Sequence, residues 1–278
     1  MDMDEIQVKL WKNEQEILDA VHDICISNGL RYSLAYGTLL GAVRHGGFIP
    51  WDDDIDILMP REDYTKLLEI WNEKAPKDYI LQEPYSSSDV TNNFTKIRKN
   101  HTAFVQTEAE KKCKYHKGIF IDIFPLDRLA EGRLSRAKQK LFCLLAMLYN
   151  RGHTSGSDGM MELCELFLLA IIPKSKYRCI EKWAEKKATK WNGNKSLEWF
   201  GFQTVSDMKH HYAPDIFEGL IELEFEKKKY CAFKDYDRVL RDEFGDYMQL
   251  PPEEDRVWKH HPILIDFEHN YEELTDQQ

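Results

Sequence analysis

The segment IPWDDDIDIL, residues 49–58, sets Asp52, Asp53, Asp54 and Asp56 immediately before and inside an apolar run. Asp54 and Asp56 alternate with Ile55 and Ile57, the period of two that marks a strand. In such a strand both aspartates project from one face, with Cα atoms roughly 6.5 Å apart at a rise of about 3.3 Å per residue. Like charges so placed repel. A cation has to compensate them, and a hard divalent ion such as Mg²⁺, which prefers oxygen ligands, suits the donor set. Asp52 and Asp53 alone read as a solvated or helix-capping pair and take a supporting role.

A further aspartate lies in GIFIDIFP, residues 118–125, an almost wholly apolar run that reads as a buried strand with Asp122 at its centre. A buried carboxylate is costly unless it is paired, hydrogen-bonded or bound to metal. If its strand lies beside that of Asp54 and Asp56, the carboxylates converge as they do where Mg²⁺ is held against nucleotide phosphates. The alternative is a structural ion network in which Asp54 and Asp56 pair with Arg44 or Lys96. A lone Asp-x-Asp is weak; flanking apolar residues, a preceding Gly-Thr turn and the strand aspartate make it specific.

Several elements must position these groups. Ile6, Leu10, Ile17, Val21 and Ile24 share a helical face, and Asn28-Gly29 supplies a stop, which predicts a helix over about 4–28. Residues 32–36 read as a short strand, and Gly37-Thr38 leads through LLGAVRHGG into a tight turn and short helix, whose N-terminus suits a phosphate. REDYTKLLEIWNEKA, after Pro60, is a second helix stopped near Pro76. Strands are predicted at 79–81, 93–98 and 103–106. From 126 to about 192 the pattern is helical, broken by the turn RGHTSGSDG. Strands return at 199–205 and 221–225, and a helix over 233–247 ends before Pro251-Pro252. The expected organisation is a core with the acidic strands over 1–127, a helical insertion or subdomain over 128–200, and a segment over 201–278 that completes the core.

Composition narrows the partners. The 278 residues carry 38 Lys and Arg against 48 Asp and Glu, a net charge of −10, which argues against a general nucleic-acid binder while leaving room for a small phosphorylated ligand. The six cysteines have no Cys-x-x-Cys spacing and read as reduced structural thiols. The N-terminus is acidic and amphipathic, unlike a signal peptide, so the cytoplasm is the expected location. The apolar stretches 141–149 and 163–173 fall short of the ~20 residues of a spanning helix. They need covering, most simply by one another, or else by peripheral contact at the inner face of the membrane.

Residues 36–56, YGTLLGAVRHGGFIPWDDDID, resemble the signature of the LicD family, which includes bacterial phosphocholine transferases and is related to fukutin-type ribitol-phosphate transferases. FTKIR at 94–98, the Asp122 strand with FPLD at 124–127, YDRVL at 236–240, GDYM at 245–248 and Pro251-Pro252 extend the resemblance, which is weakest over about 128–200. It implies an α+β fold: a nucleotidyltransferase-like mixed sheet with flanking helices and a helical insertion. On its pattern Gly37-Thr38 takes the place of a Gly-Ser turn, with Thr for Ser, Asp54 and Asp56 that of the paired carboxylates, and Asp122 that of the third.

The implied activity is attack of an acceptor hydroxyl on the β-phosphorus of a CDP-activated alcohol, CDP-choline first, with release of CMP. The implied cofactor is Mg²⁺ or Mn²⁺, one or two ions, on Asp54, Asp56 and Asp122, with Asp122 alternatively accepting the acceptor's proton. Gly37, Thr38, Arg44, Lys96 and Arg98 would meet phosphate oxygens, Arg44 foremost because guanidinium grips phosphate in a bidentate way; Lys96 and Arg98 read nearly as well as a solvated strand face. His260 and His261 either close over the donor or belong to a polar C-terminal loop. The implied acceptor is a cell-surface glycan or its lipid-linked precursor. Ribitol phosphate or another phospho-alcohol, nucleotidyl transfer at the α-phosphorus, a metal-dependent glycosyltransferase and a non-catalytic binding module are the competing readings.

Overall fold

The computed structural model describes residues 3–87, 89–156, 159–258 and 260–275. In chain order the elements are α1 (Met3–Asn28), β1 (Ser33–Leu34), α2 (Tyr36–His45), β2 (Asp56–Pro60), α3 (Arg61–Lys74), β3 (Tyr79–Gln82), β4 (Thr95–Lys99), β5 (Ala103–Val105) and β6 (Phe120–Arg128). They continue with α4 (Arg133–Arg151), α5 (Met160–Ile171), α6 (Tyr177–Ala188), β7 (Trp199–Phe200), β8 (His211–Tyr212), β9 (Ile221–Phe225), β10 (Lys228–Ala232), α7 (Tyr236–Phe244), β11 (Leu264–Asp266) and α8 (Tyr271–Thr275). The molecule is a mixed α/β protein. Ser157 and Asp158 of the RGHTSGSDG turn lie outside the described residues.

The chain forms two compact units, one of 1–83, 95–125 and 216–278, the other of 84–94 and 126–215. The second unit thus takes in the segment before β4 as well as β7 and β8. In the first unit the strand order is β1-β2-β6-β4-β3. β1 and β2 are antiparallel with Ser33 opposite Leu58, and β4 and β6 are antiparallel with Lys96 opposite Asp122. The Asp122 N–H donates to the Ile55 carbonyl at 2.9 Å. The acidic segment and the Asp122 strand are therefore neighbours, as their apolar residues require: every residue of β2 is buried, and so are Ile121 and Ile123. Leu10, Ile17, Leu18 and Val21 of α1 and Trp71 of α3 are fully enclosed in the same unit.

Three boundaries differ from the sequence expectations. β2 begins at Asp56, so Asp54 precedes the strand instead of sharing its pleat. The helix after β1 begins at Tyr36, which puts Gly37 and Thr38 in its first turn, with Tyr36 itself at φ 46°, in the left-handed region. β6 continues to Arg128, where its end pairs with β7 within the second unit. There Leu129, Cys143, Ala146, Ala184, Ala188, Phe200 and Phe202 form a separate core. All six cysteines are free. Among the described residues no helix is long and apolar enough to cross a membrane.

Candidate active site

The acidic segment is clamped from two sides. The Asp56 N–H donates to Thr38 Oγ1 at 2.8 Å, and the Asp56 carbonyl accepts from the Ala35 N–H at 3.0 Å, so the first turn of α2 fixes the start of β2. Thr38 is buried, and its hydroxyl oxygen is engaged in placing Asp56. From α1, Trp11 Nε1 donates to the Asp52 carbonyl at 2.8 Å and its ring stacks on Phe48 with centroids 4.9 Å apart. Gly37 has a steric role: a Cβ there would stand 2.2 Å from Asp52 Oδ2. Gly37→Ala is expected to push the Asp52 carboxylate aside and weaken divalent-ion affinity by roughly tenfold, the scale of disturbing groups that orient metal ligands, read by Mg²⁺ titration of the thermal midpoint.

Asp52, Asp53 and Asp54 each bring a carboxylate oxygen within 4.8 Å of the other two. Asp53 is buried, and accepts the His260 N–H at 2.9 Å and a contact from its Nδ1 at 3.2 Å. His260 Nδ1 also lies 3.8 Å from Asp54 Oδ2. The bond to Asp53, with the nearby Asp54 charge, holds the His260 imidazole above its ordinary pKa. His260 thus orients an aspartate, whereas His261 is exposed.

Glu14 of α1 joins this cluster, and Asp52 and Asp53 take a larger place in it than their sequence reading gave them. Glu14 is 3% exposed, and its Oε2 has no hydrogen-bond partner among the described residues. Burial, then the charges of Asp54, Asp53, Asp52 and Asp56, push its carboxyl well above the usual range. Its signal was present in the chain: Glu14 interrupts the apolar face of Leu10, Ile17 and Val21 at helical spacing. Asp56 is likewise raised, by burial first and then by Asp54, Asp122 and Asp52, with Lys96 opposing.

Opposite Asp122 in the sheet, Lys96 Nζ donates to both oxygens of that carboxylate, at 2.6 and 2.8 Å, and sits 3.6 Å from the Phe120 ring centroid. Burial lowers the Lys96 pKa and Asp122 works against that shift. Arg98, two residues on, is placed differently. It is 2% exposed, with Nε on Gln82 Oε1 at 2.5 Å, Nη1 on the Gly118 carbonyl at 2.9 Å, and the Phe120 ring 4.8 Å away. Its donors tie β4 to its neighbours. Arg98→Met is expected to lower stability by roughly 1–3 kcal/mol, as for buried acceptors left unsatisfied, with donor KM unchanged in the folded fraction; chemical denaturation and steady-state kinetics check both halves.

A cavity of about 640 Å³ opens beside the acidic segment, bordered by Asp52, Asp54, Asp56, Gly37, Arg44 and Trp51. Its other wall comes from the stretch after α7, including Tyr247 and Pro251-Pro252. Arg44 reaches that wall: Nη1 donates to the Tyr247 carbonyl at 2.7 Å, and burial lowers the guanidinium's pKa. The fold brings together the carboxylates at the mouth of β2, a further one on the adjacent β6, and the Gly-Thr start of α2. The donors are all hard oxygens, crowded beyond what Lys96 and His260 balance, with one buried oxygen unsatisfied; the residues fit a divalent cation.

Comparison with known proteins places the chain. Residues 29–135 match the family described as LicD/FKTN/FKRP, nucleotidyltransferase domain. The span includes Gly37, Asp54, Asp56, Lys96 and Asp122, and leaves Glu14 and His260 outside it. The lipopolysaccharide cholinephosphotransferase LicD of Haemophilus influenzae is 28% identical over 270 residues, covering 91% of this chain and 97% of that protein. An uncharacterised Rickettsia prowazekii protein is 30% identical over 124 residues, 43% of this chain and 47% of its own length. The human ribitol 5-phosphate transferase FKRP is 57% identical over 35 residues, 13% of this chain and 7% of that protein.

Proposed function

We propose that the protein transfers a phospho-alcohol, phosphocholine before others, from a CDP-activated donor to a hydroxyl of a glycan, with a divalent cation and release of CMP. The observation that carries this reading is the convergence of Asp52, Asp54 and Asp56 on one cavity with Asp122 on the adjoining strand. The near full-length similarity to a lipopolysaccharide cholinephosphotransferase supports the choice of alcohol and acceptor.

Asp54 and Asp56, with Asp52 against the first turn of α2, would hold Mg²⁺ or Mn²⁺, which supplies neutralisation of the diphosphate charge. The acceptor oxygen forms a bond to the β-phosphorus, and the bond from that phosphorus to the bridging oxygen breaks. CMP keeps the bridging oxygen, and the acceptor's proton passes to a carboxylate, for which Asp122 is our assignment. Lys96 holds both Asp122 oxygens in position until then. Arg44, at the cavity wall, meets donor phosphate with the part of its guanidinium that the Tyr247 carbonyl leaves.

Transfer of ribitol phosphate is the second reading, favoured by the 57% identity to FKRP over 35 residues. The test is CMP release from CDP-choline, CDP-ribitol and CDP-glycerol with Mg²⁺, with and without a glycan extract. Release that needs Mg²⁺ and is faster with extract names the donor. Incorporation of CMP into the acceptor would place attack at the α-phosphorus and overturn the proposal, as would no release from any donor.

A further inference from the structure

The helix α5, MMELCELFLLAI, is built inside out for a water-facing element. None of its side chains is buried, and Met160, Leu163, Phe167 and Ile171 are 81%, 66%, 63% and 54% exposed. These four recur at i, i+3, i+7 and i+11, with Met161, Cys164 and Leu166 extending the same outward arc. The polar groups turn inward. Glu165 accepts from the Ser155 N–H at 2.7 Å and faces Arg151 Nη2 at 3.3 Å, while Tyr149 and Tyr177 donate their hydroxyls to the Leu168 and Leu169 carbonyls at 3.0 and 2.7 Å. A helix anchored through backbone and carboxylate, with its apolar arc outward, is arranged to be covered.

The chemistry of the cover follows from charge. Pro173 ends the helix, and the turn after it presents exposed Lys174 and Lys176 with no acidic residue between them. Over residues 126–215 Lys and Arg outnumber Asp and Glu, the reverse of the whole chain with its 38 against 48. At about 1.5 Å per residue the helix is about 18 Å long, too short to span a bilayer and long enough to lie in its surface. Long Met and Leu side chains and a Phe on the outward arc, with Glu162 and Glu165 off that arc and two lysines in the turn beyond the helix, suit the boundary between lipid headgroups and acyl chains.

We propose that α5 is an interfacial helix that lays the apolar face of Met160–Ile171 into the surface of an anionic lipid bilayer, with Lys174 and Lys176 against the lipid phosphates. This goes beyond the transferase reading and stands independently of it, because no residue of α5 belongs to the carboxylate site.

The test is flotation of the full chain with phosphatidylcholine vesicles and with vesicles that also contain phosphatidylglycerol. Floating with the anionic vesicles is expected, with binding weakened by salt. Leu163→Gln/Phe167→Gln should lower the bound fraction at least tenfold on both lipids, and Lys174→Glu/Lys176→Glu should remove the preference for phosphatidylglycerol. These positions are exposed, so an unchanged thermal midpoint shows that the variants remain folded; CMP release from the CDP-alcohol with a soluble acceptor should also be unchanged. Failure of the wild type to float with anionic vesicles overturns the proposal, as does flotation of both variants equal to that of the wild type. A concentration-dependent dimer in sedimentation, dispersed by Leu163→Gln/Phe167→Gln without any flotation, would assign the face to a second copy instead.

Discussion

Asp56→Asn is expected to abolish CMP release, by about 10³-fold or more in kcat, the scale on which a single charge-stabilising group acts in phosphoryl transfer, while raising the thermal midpoint of the metal-free protein. The two effects have one origin. Asp56 is fixed by backbone hydrogen bonds to Thr38 and Ala35, so it stays in place whatever its charge. Burial and the neighbouring Asp54, Asp122 and Asp52 raise its pKa, which means that the fold disfavours its ionised form. A divalent cation is expected to reverse that preference, and asparagine, isosteric and neutral, removes both the repulsion and the ligand.

The same balance sets a pH dependence with a definite sign. A carboxyl whose folded pKa is raised contributes stability that is complete below its unfolded value, about 3.9 for Asp, and is lost as pH rises through the folded value. Glu14 shifts in the same direction, and so does His260, whose contribution is complete below about 6.5. Metal-free protein should therefore lose stability as pH rises above about 4, the unfolded range of Asp and Glu, less steeply in Asp56→Asn, and Mg²⁺ should stabilise wild type more at the alkaline end. A midpoint that rises with pH in the absence of metal would overturn the raised pKa of Asp56, and a Mg²⁺ shift retained in full by Asp56→Asn would show that Asp56 is not a ligand.

The chain announced its acidic strand through local patterns, and the fold reproduces the apolar run around Asp122 and the face of Leu10, Ile17 and Val21, with a strand that starts at Asp56, two residues later than the alternation predicts. What it hid depends on distance. The pairing that brings Asp122 to the Ile55 carbonyl links residues far apart in sequence, and an isolated apolar strand carries no mark of its partner. His260 comes to Asp53 from the far end of the chain, through a stretch whose polar composition reads equally well as a loop. Asp54 misled for another reason: periodicity shows which residues alternate, while backbone hydrogen bonds decide where the strand begins. Arg98 shares with Lys96 the look of a cationic strand face, and only the tertiary partners Gln82 and Gly118 separate a structural guanidinium from an ammonium at the site.

Lys96 is where that separation has the largest measurable consequence. Lys96→Met is expected to destabilise the metal-free protein by roughly 3–5 kcal/mol, because it strands the Asp122 carboxylate in a buried position without its cation. Lys96 gives two hydrogen bonds to that carboxylate from a side chain that is itself 12% exposed. Adding Asp122→Asn should recover much of the loss, since the pair can be removed together at lower cost than either partner alone; the coupling read from the four proteins should exceed about 1 kcal/mol, as for groups sharing a network. Mg²⁺ separates the two roles open to Lys96. As the standing counter-ion of Asp122, its loss leaves an additional negative charge for a metal to neutralise, so Mg²⁺ should raise the midpoint of Lys96→Met more than that of wild type. A lysine that served donor phosphate instead would leave both the metal-free midpoint and the Mg²⁺ shift where they were, and Lys96→Met would show itself only as a higher KM for the CDP-alcohol.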